Sequence, residues 1–497
     1  MAEKDYHSHA TTGLILREDT IFERSSSGRE GYRLPNLEVP EVSPKSLRRS
    51  HPAELPEVGE LDVVRHFTRL SSWNYSIDTG MFPLGSCTMK YNPRINEEVA
   101  ALPGLSDIHP DAPAEVSQGA LEIIYQMERL LCEIAGLDAC TTQPAAGAVG
   151  EFTGLALVHA FHKHHGSRRK YVLVPDTAHG TNPASCTLAG YETITLPSSK
   201  TGVLGVDTVR EAVEKYGRDI AAIMITNPNT LGLFETNILE ISEVVHSVGA
   251  QVYMDGANMN AIVGMAKPGH MGVDVMHFNL HKTFSTPHGG GGPGAGPVAV
   301  REHLAPYLPN PRVVHTDSKY SVEYLPESIG KVKGAFGNFG MLVRALCYIR
   351  HHGAEGLRAI ARASVLNANY LKHQLSKRFK LSHDAPSFHE FVVSDALQAK
   401  VGGVKTLQIA KALMDRGFHP PTIYFPLVVP GAMLIEPTET ESLQDLDRFI
   451  AAMNDIADRI ESGEETFADA PTKTIVGKVD EALAARRPVL SLDDRAL

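Results

Sequence analysis

Asp274-Val-Met-His-Phe-Asn-Leu-His281, followed at once by Lys282-Thr-Phe-Ser285, decides the reading of this chain. The run has the length and apolar content of a buried strand, and it ends in a lysine. Working outward, short apolar runs at 171–174, 220–226, 250–255 and 296–300 alternate with helix-like stretches such as 238–248. That alternation predicts βαβ units and a mostly parallel α/β sheet, whose chemistry belongs beyond the carboxyl ends of its strands. Before the sheet, Leu121, Ile124, Met127 and Leu131 carry helical spacing. After it, helix-like stretches at 338–351, 406–416 and 442–462, with extended segments around Phe391 and Tyr424, predict a smaller C-terminal α+β domain. The expected organisation is an N-terminal arm over 1–90, a large domain over 91–335, a small domain over 336–465 and a tail over 466–497.

At 497 residues, with 43% hydrophobic and 21% charged residues, the composition is that of an ordinary globular chain. A formal charge of −11 speaks against nucleic acid or an anionic membrane as a partner. The start has no apolar leader, and no apolar run approaches the roughly 20 residues of a membrane span. Cys87, Cys132, Cys140, Cys186 and Cys347 are scattered and odd in number, which fits neither a disulfide framework nor a zinc site and predicts a reducing cytoplasm.

Lysine at a strand mouth suits a Schiff-base role, because burial there favours the neutral amine. Asp255 closes the run at 250–255 and could hold the pyridine nitrogen of pyridoxal phosphate protonated; the plain alternative is a strand-end helix cap. His179 follows another run and could stack on that ring, with Ala257 against the other face, or could be a simple loop histidine. Ala146 and Gly147, small residues at an expected helix start, leave backbone N–H groups open to a phosphate, although small residues also serve tight packing. Asn227, before Pro228, is a candidate for the ring hydroxyl or a turn residue. Ser86 and Cys87 are candidates for approaching the substrate, or a tight turn with a buried thiol. Asn338 and Arg344 are candidates for the substrate carboxylate. The glycine run 289–294 lacks the Lys-Ser/Thr ending of a P-loop, and the histidines at 159, 162, 164 and 165 read as a polar helix end, so no metal site is expected.

Five long motifs carry a resemblance: Pro83-Leu-Gly-Ser-Cys-Thr-Met-Lys-Tyr-Asn92, His179-Gly-Thr-Asn-Pro-Ala-Ser185, Asp255-Gly-Ala-Asn-Met-Asn260, His281-Lys-Thr-Phe284 with the glycine run behind it, and Gly417-Phe-His-Pro-Pro-Thr-Ile-Tyr-Phe-Pro426. They resemble those of glycine decarboxylase P-proteins, and the length is similar to the lysine-bearing second subunit of the split bacterial form. The resemblance implies an aspartate aminotransferase-like, fold type I enzyme that holds pyridoxal 5'-phosphate on Lys282. It implies decarboxylation of glycine, with transfer of the aminomethyl group to the oxidised lipoyl arm of the H-protein in the glycine cleavage system. The implied partners are a first subunit in a two-plus-two heterotetramer, the lipoylated H-protein and, indirectly, the aminomethyltransferase T-protein and the lipoamide dehydrogenase L-protein. Rival readings are another fold type I enzyme acting on a small amino acid, such as a desulfurase or an aldolase, and a catalytically silent scaffold that only binds the carrier.

Overall fold

The computed structural model describes residues 18–36, 38–40, 47, 49–51, 53–289, 291–334 and 336–491. The expected absence of a leader, Gly290 of the glycine run and the end of the tail therefore lie outside the described residues. Seven segments pair into one sheet: β1 (Ala139–Thr141), β2 (Tyr171–Pro175), β3 (Glu192–Leu196), β4 (Ile220–Thr226), β5 (Gln251–Gly256), β6 (Val275–Phe278) and β7 (Val298–Val300). Their order is β1-β7-β6-β5-β4-β2-β3. Neighbours from β3 through β6 are parallel, and β7 runs antiparallel to both β6 and β1. The mostly parallel sheet expected from the alternation is thus present, with one reversed strand. The reversal has a local cause: parallel neighbours need a crossover, and the chain between β6 and β7 contains no helix to make one.

Every residue of β4 and β5 is buried, as expected of strands covered on both faces. Register then does the positioning. Thr226 of β4 pairs with Asp255 of β5, which pairs with His277 of β6, so three polar side chains stand abreast where these strands end. Two strands were invisible in the sequence: β1 is three residues long, and β3 is an edge strand whose Glu-Thr-Ile-Thr-Leu is only partly buried.

A hairpin of β8 (Arg312–Thr316) and β9 (Lys319–Glu323) precedes a helical stretch, Phe339–Leu375, broken at Gly353 where φ is 60° and ψ −173°. Beyond it β10 (Lys380–Leu381), β11 (Phe391–Ser394), β12 (Thr422–Ile423) and β13 (Ala432–Ile435) form an antiparallel sheet in the order β10-β11-β13-β12. The helices Thr406–Met414 and Leu443–Glu461 give it their buried faces.

Gly80–Thr472 is one compact unit, and the described residues of 1–79 together with those of 473–497 form a second. Met81 and, from the expected tail, Phe467 and Ala470 belong to the apolar core of the small sheet. Within the second unit the helix Glu60–Ser71 presents His66 and Arg69 to the buried carboxylate of Glu18, which also accepts Arg24 at 2.9 Å. No helix of the described residues is long and apolar enough to cross a membrane.

Candidate active site

A pocket of about 150 Å³ opens where β4, β5 and β6 end, and Lys282, Asp255, His179, Ala257, Gly147 and Ser86 all line it. Six of the residues singled out from the sequence, drawn from five separate stretches of chain, therefore meet in one place. Lys282 sits in the turn after β6, half-buried, its amide donating to the carbonyl of Asn279 at 3.0 Å.

Asp255 is 2% exposed and is met by a full set of donors. Oδ1 accepts the amide of Ala257 at 2.9 Å and faces Nε2 of His277 at 3.2 Å, while Oδ2 accepts Nδ2 of Asn182 at 2.9 Å. Burial alone would raise this carboxyl. His277 by charge and hydrogen bond, then Asn182 and the Lys282 ammonium, overcome it and hold Asp255 well below the usual carboxylate range. A carboxylate offers about four lone-pair sites, so room for a further donor remains on Oδ2. His277 in turn meets the Tyr253 hydroxyl at 2.9 Å, which lies 3.2 Å from the carbonyl of Gly150. His277 and Asn182 were missed in the sequence. The available signal was a histidine in the middle of an otherwise apolar strand.

His179 is exposed, and its Nδ1 lies 2.8 Å from the Thr181 hydroxyl, which donates to the buried Glu151 at 2.7 Å. One edge of its ring meets Phe425 at a centroid distance of 5.4 Å. The helix Gly147–His164 begins at the pocket, with Ala146 as its cap residue. A Cβ on Gly147 would stand 2.3 Å from Oδ1 of Asn279 and would displace that amide from the pocket wall. The first-turn amides of this helix, which have no intrahelical acceptor, begin at the pocket wall.

Several other candidates are not among the wall residues. Asn338 donates to the carbonyls of Gly294 and, at 3.4 Å, Ala145, and it stands outside the pocket wall; its amide clamps two loops rather than greeting a substrate. Arg344 is taken by both oxygens of Glu97, at 2.8 and 2.7 Å, which leaves it no free face for a carboxylate. Asn227 is not among the wall residues; its Oδ1 accepts the Glu235 amide at 3.0 Å, while its buried Nδ2 has no partner among the described residues. Cys87 is also off the wall, and burial pushes its thiol up to about 11, so it is not a thiolate at neutral pH. Ala146 only caps the helix whose next two residues reach the pocket.

A model of the family described as glycine cleavage system P-protein matches residues 34–320, and one described as glycine dehydrogenase, C-terminal domain, matches 360–477. A protein of Bacillus licheniformis named probable glycine dehydrogenase (decarboxylating) subunit 2 is 53% identical over 480 residues, covering 95% of this chain and 98% of its own. The chain belongs to the glycine cleavage system P-protein family. P-protein relatives with the same subunit 2 name in Listeria innocua and Caldanaerobacter subterraneus are 51% and 50% identical, each over 95% of this chain and 97% and 98% of their own. Among solved structures, an inhibitor-bound glycine decarboxylase P-protein superposes with a TM-score of 0.70 at 23% identity, over 83% of this chain and 93% of that one. A rice TDC solved with PLP superposes at 0.63 with 14% identity, over 86% and 93%. A cysteine desulfurase of Thermococcus onnurineus superposes at 0.60 with 15% identity, over 77% and 95%. The P-protein fold is therefore the fold type I scaffold expected from the sequence, a seven-stranded sheet domain with a smaller C-terminal sheet.

Proposed function

We propose that this chain is the pyridoxal phosphate-binding subunit of a two-subunit glycine decarboxylase, working with a first subunit and a lipoylated carrier protein. The observation that supports this most directly is the convergence of Lys282, Asp255 and His179 on one pocket of a P-protein family chain. The residues also fit the cofactor. Ser86 Oγ, Thr226 Oγ1 and Asn279 Oδ1 belong to pocket-lining residues, are buried and have no hydrogen-bond partner among the described residues. Buried polar atoms are normally satisfied, so these three mark where a polar ligand seats.

Pyridoxal phosphate supplies an electron sink for the pair left on the glycine carbon when carbon dioxide departs. Lys282 would hold the cofactor covalently through Nζ and would keep an amine beside the reacting carbon, able to act there as a base. Asp255, kept ionised by His277 and Asn182, keeps a proton on the pyridine nitrogen and so maintains the sink. Amides at the start of the helix Gly147–His164 receive the phosphate, where the helix dipole favours an anion. His179 and Ala257 both line the pocket, where they would flank the ring, Ala257 being too small to obstruct it. The aminomethyl group passes to the lipoyl disulfide of the H-protein, which is the oxidant; the T-protein and L-protein then act on the carrier, in the cytoplasm.

Glycine-dependent exchange of labelled bicarbonate tests the reading. Holoenzyme assembled with the first subunit is expected to catalyse exchange, strongly stimulated by H-protein. Desulfuration of cysteine with no exchange would support the desulfurase reading instead.

A further inference from the structure

Close to Lys282 lies a second polar cluster that the reaction above leaves without a role. His389, Glu390 and Glu436 are each 0% exposed, and their polar atoms lie within 4.8 Å of one another. Adjacent strands bring them together: Glu390 immediately precedes β11, Glu436 immediately follows β13, and Phe391 pairs with Ile435. All four carboxylate oxygens accept protein hydrogens. Glu390 accepts the Ser86 amide at 2.7 Å and Nδ2 of Asn258 at 3.1 Å. Glu436 accepts the Thr88 amide at 2.9 Å and the Thr88 hydroxyl. Three such side chains also have the ligand types of a cation site, but these oxygens are already engaged and the Lys282 charge acts on both carboxylates.

What the carboxylates grip is a turn in an uncommon conformation. Ser86 and Thr88 have φ of 62° and 46°, the left-handed region that non-glycine residues keep only where surroundings over-determine it. Gly85 ahead of them is pressed onto β13, where a Cβ would stand 2.2 Å from the Leu434 side chain. At the tip, the buried and unpartnered Ser86 hydroxyl belongs to a residue of the pocket wall that also contains Lys282.

We infer that Glu390 and Glu436 are positioning residues for the proposed reaction, holding the Ser86–Thr88 turn so that the Ser86 hydroxyl meets the substrate beside Lys282. The inference rests on that reading of the site. Two carboxyls buried this close share a proton. Burial, then Glu436, pushes Glu390 well up, and burial pushes Glu436 up to about 7, with Lys282 opposing in both cases and Glu439 adding to the rise of Glu436. His389 supplies no balancing charge, because burial and Lys282 push it down to about 3. Gln at position 390 keeps one acceptor oxygen, enough for the Ser86 amide at the loss of the Asn258 contact, whereas Ala releases both.

Cys87, between the two gripped residues, reports on the turn. Holoenzyme assembled with the first subunit and pyridoxal phosphate is compared as wild type, Glu390→Gln, Glu390→Ala and Thr88→Val, reading iodoacetamide labelling of Cys87, cofactor absorbance, and glycine KM and kcat. Expected for Glu390→Ala are at least tenfold faster labelling and at least tenfold higher glycine KM, with the cofactor absorbance of wild type. Glu390→Gln is expected to return both values to within about threefold of wild type. Unchanged labelling and KM in Glu390→Ala overturn the inference, as does equal damage in Gln and Ala. Should Glu390→Ala not assemble, Thr88→Val decides: about threefold faster labelling supports the brace and no change overturns it. Absence of cofactor absorbance in wild type itself would instead overturn the parent reading.

Discussion

Asp255 and the Glu390–Glu436 pair are all buried carboxyls within the field of one lysine, yet they end in opposite protonation states. Asp255 faces His277, Asn182 and a backbone amide, and is held ionised. The two glutamates also accept a full set of donors, but each has another carboxyl as its neighbour and an uncharged His389 beside it. Burial is common to both, so neighbours decide the outcome. One region thus keeps a charge in the pocket, and the other holds a turn while carrying a proton.

The sharpest way to break this comparison is Asp255→Asn, which keeps the shape and removes the charge. Turnover is expected to fall on the order of 10²- to 10³-fold, mainly in kcat, with the cofactor still bound. Retention of near wild-type kcat would show that the Asp255 charge is idle.

The pH dependence of stability separates the regions next. For Glu436 the folded state binds its proton more tightly than the unfolded chain, whose value is near 4.5. As pH rises from there to about 7 the folded state holds the extra proton, so stability falls through that window. Asp255 has the opposite shift from 3.8: its contribution is already complete at pH 4.5 and is lost only as pH falls further. Between pH 4.5 and 7.5, thermal melting should show Glu436→Gln gaining on wild type by on the order of 2 kcal/mol, while the gap to Asp255→Asn stays level.

A smaller effect is expected at His277, which supports the Asp255 carboxylate. His277→Gln should cost about tenfold in kcat, some 1.4 kcal/mol, with glycine KM little changed. Smallest is Asn338→Ala: loss of a clamp between Ala145 and Gly294 should lower stability by about 1 kcal/mol and leave glycine KM within about twofold. A large rise in KM there would restore Asn338 to the substrate site.

Much of the sheet was legible because β2, β4, β5 and β6 are apolar runs that stop at polar residues, and the stopping points of β4, β5 and β6 proved to be the pocket wall. Strand β7 was legible as a strand but not in its direction, which depends on the path of a loop. Lys282, Asp255 and His179 could be read because each follows a run directly. His277 and Glu390 could not, since their importance comes from strand register that no local pattern encodes. Asn338 and Arg344 are a related case: an amide or guanidinium near a helix start is chemically suited to a carboxylate, and only the structure shows Glu97 and two carbonyls beside them.

Borohydride reduction of the protein assembled with its first subunit and pyridoxal phosphate, followed by peptide mapping, tests the account most directly. A yellow protein that bleaches and carries one pyridoxyl group, on Lys282, is the predicted result. A protein that stays colourless with the cofactor supplied, or a label on any other lysine, would contradict it.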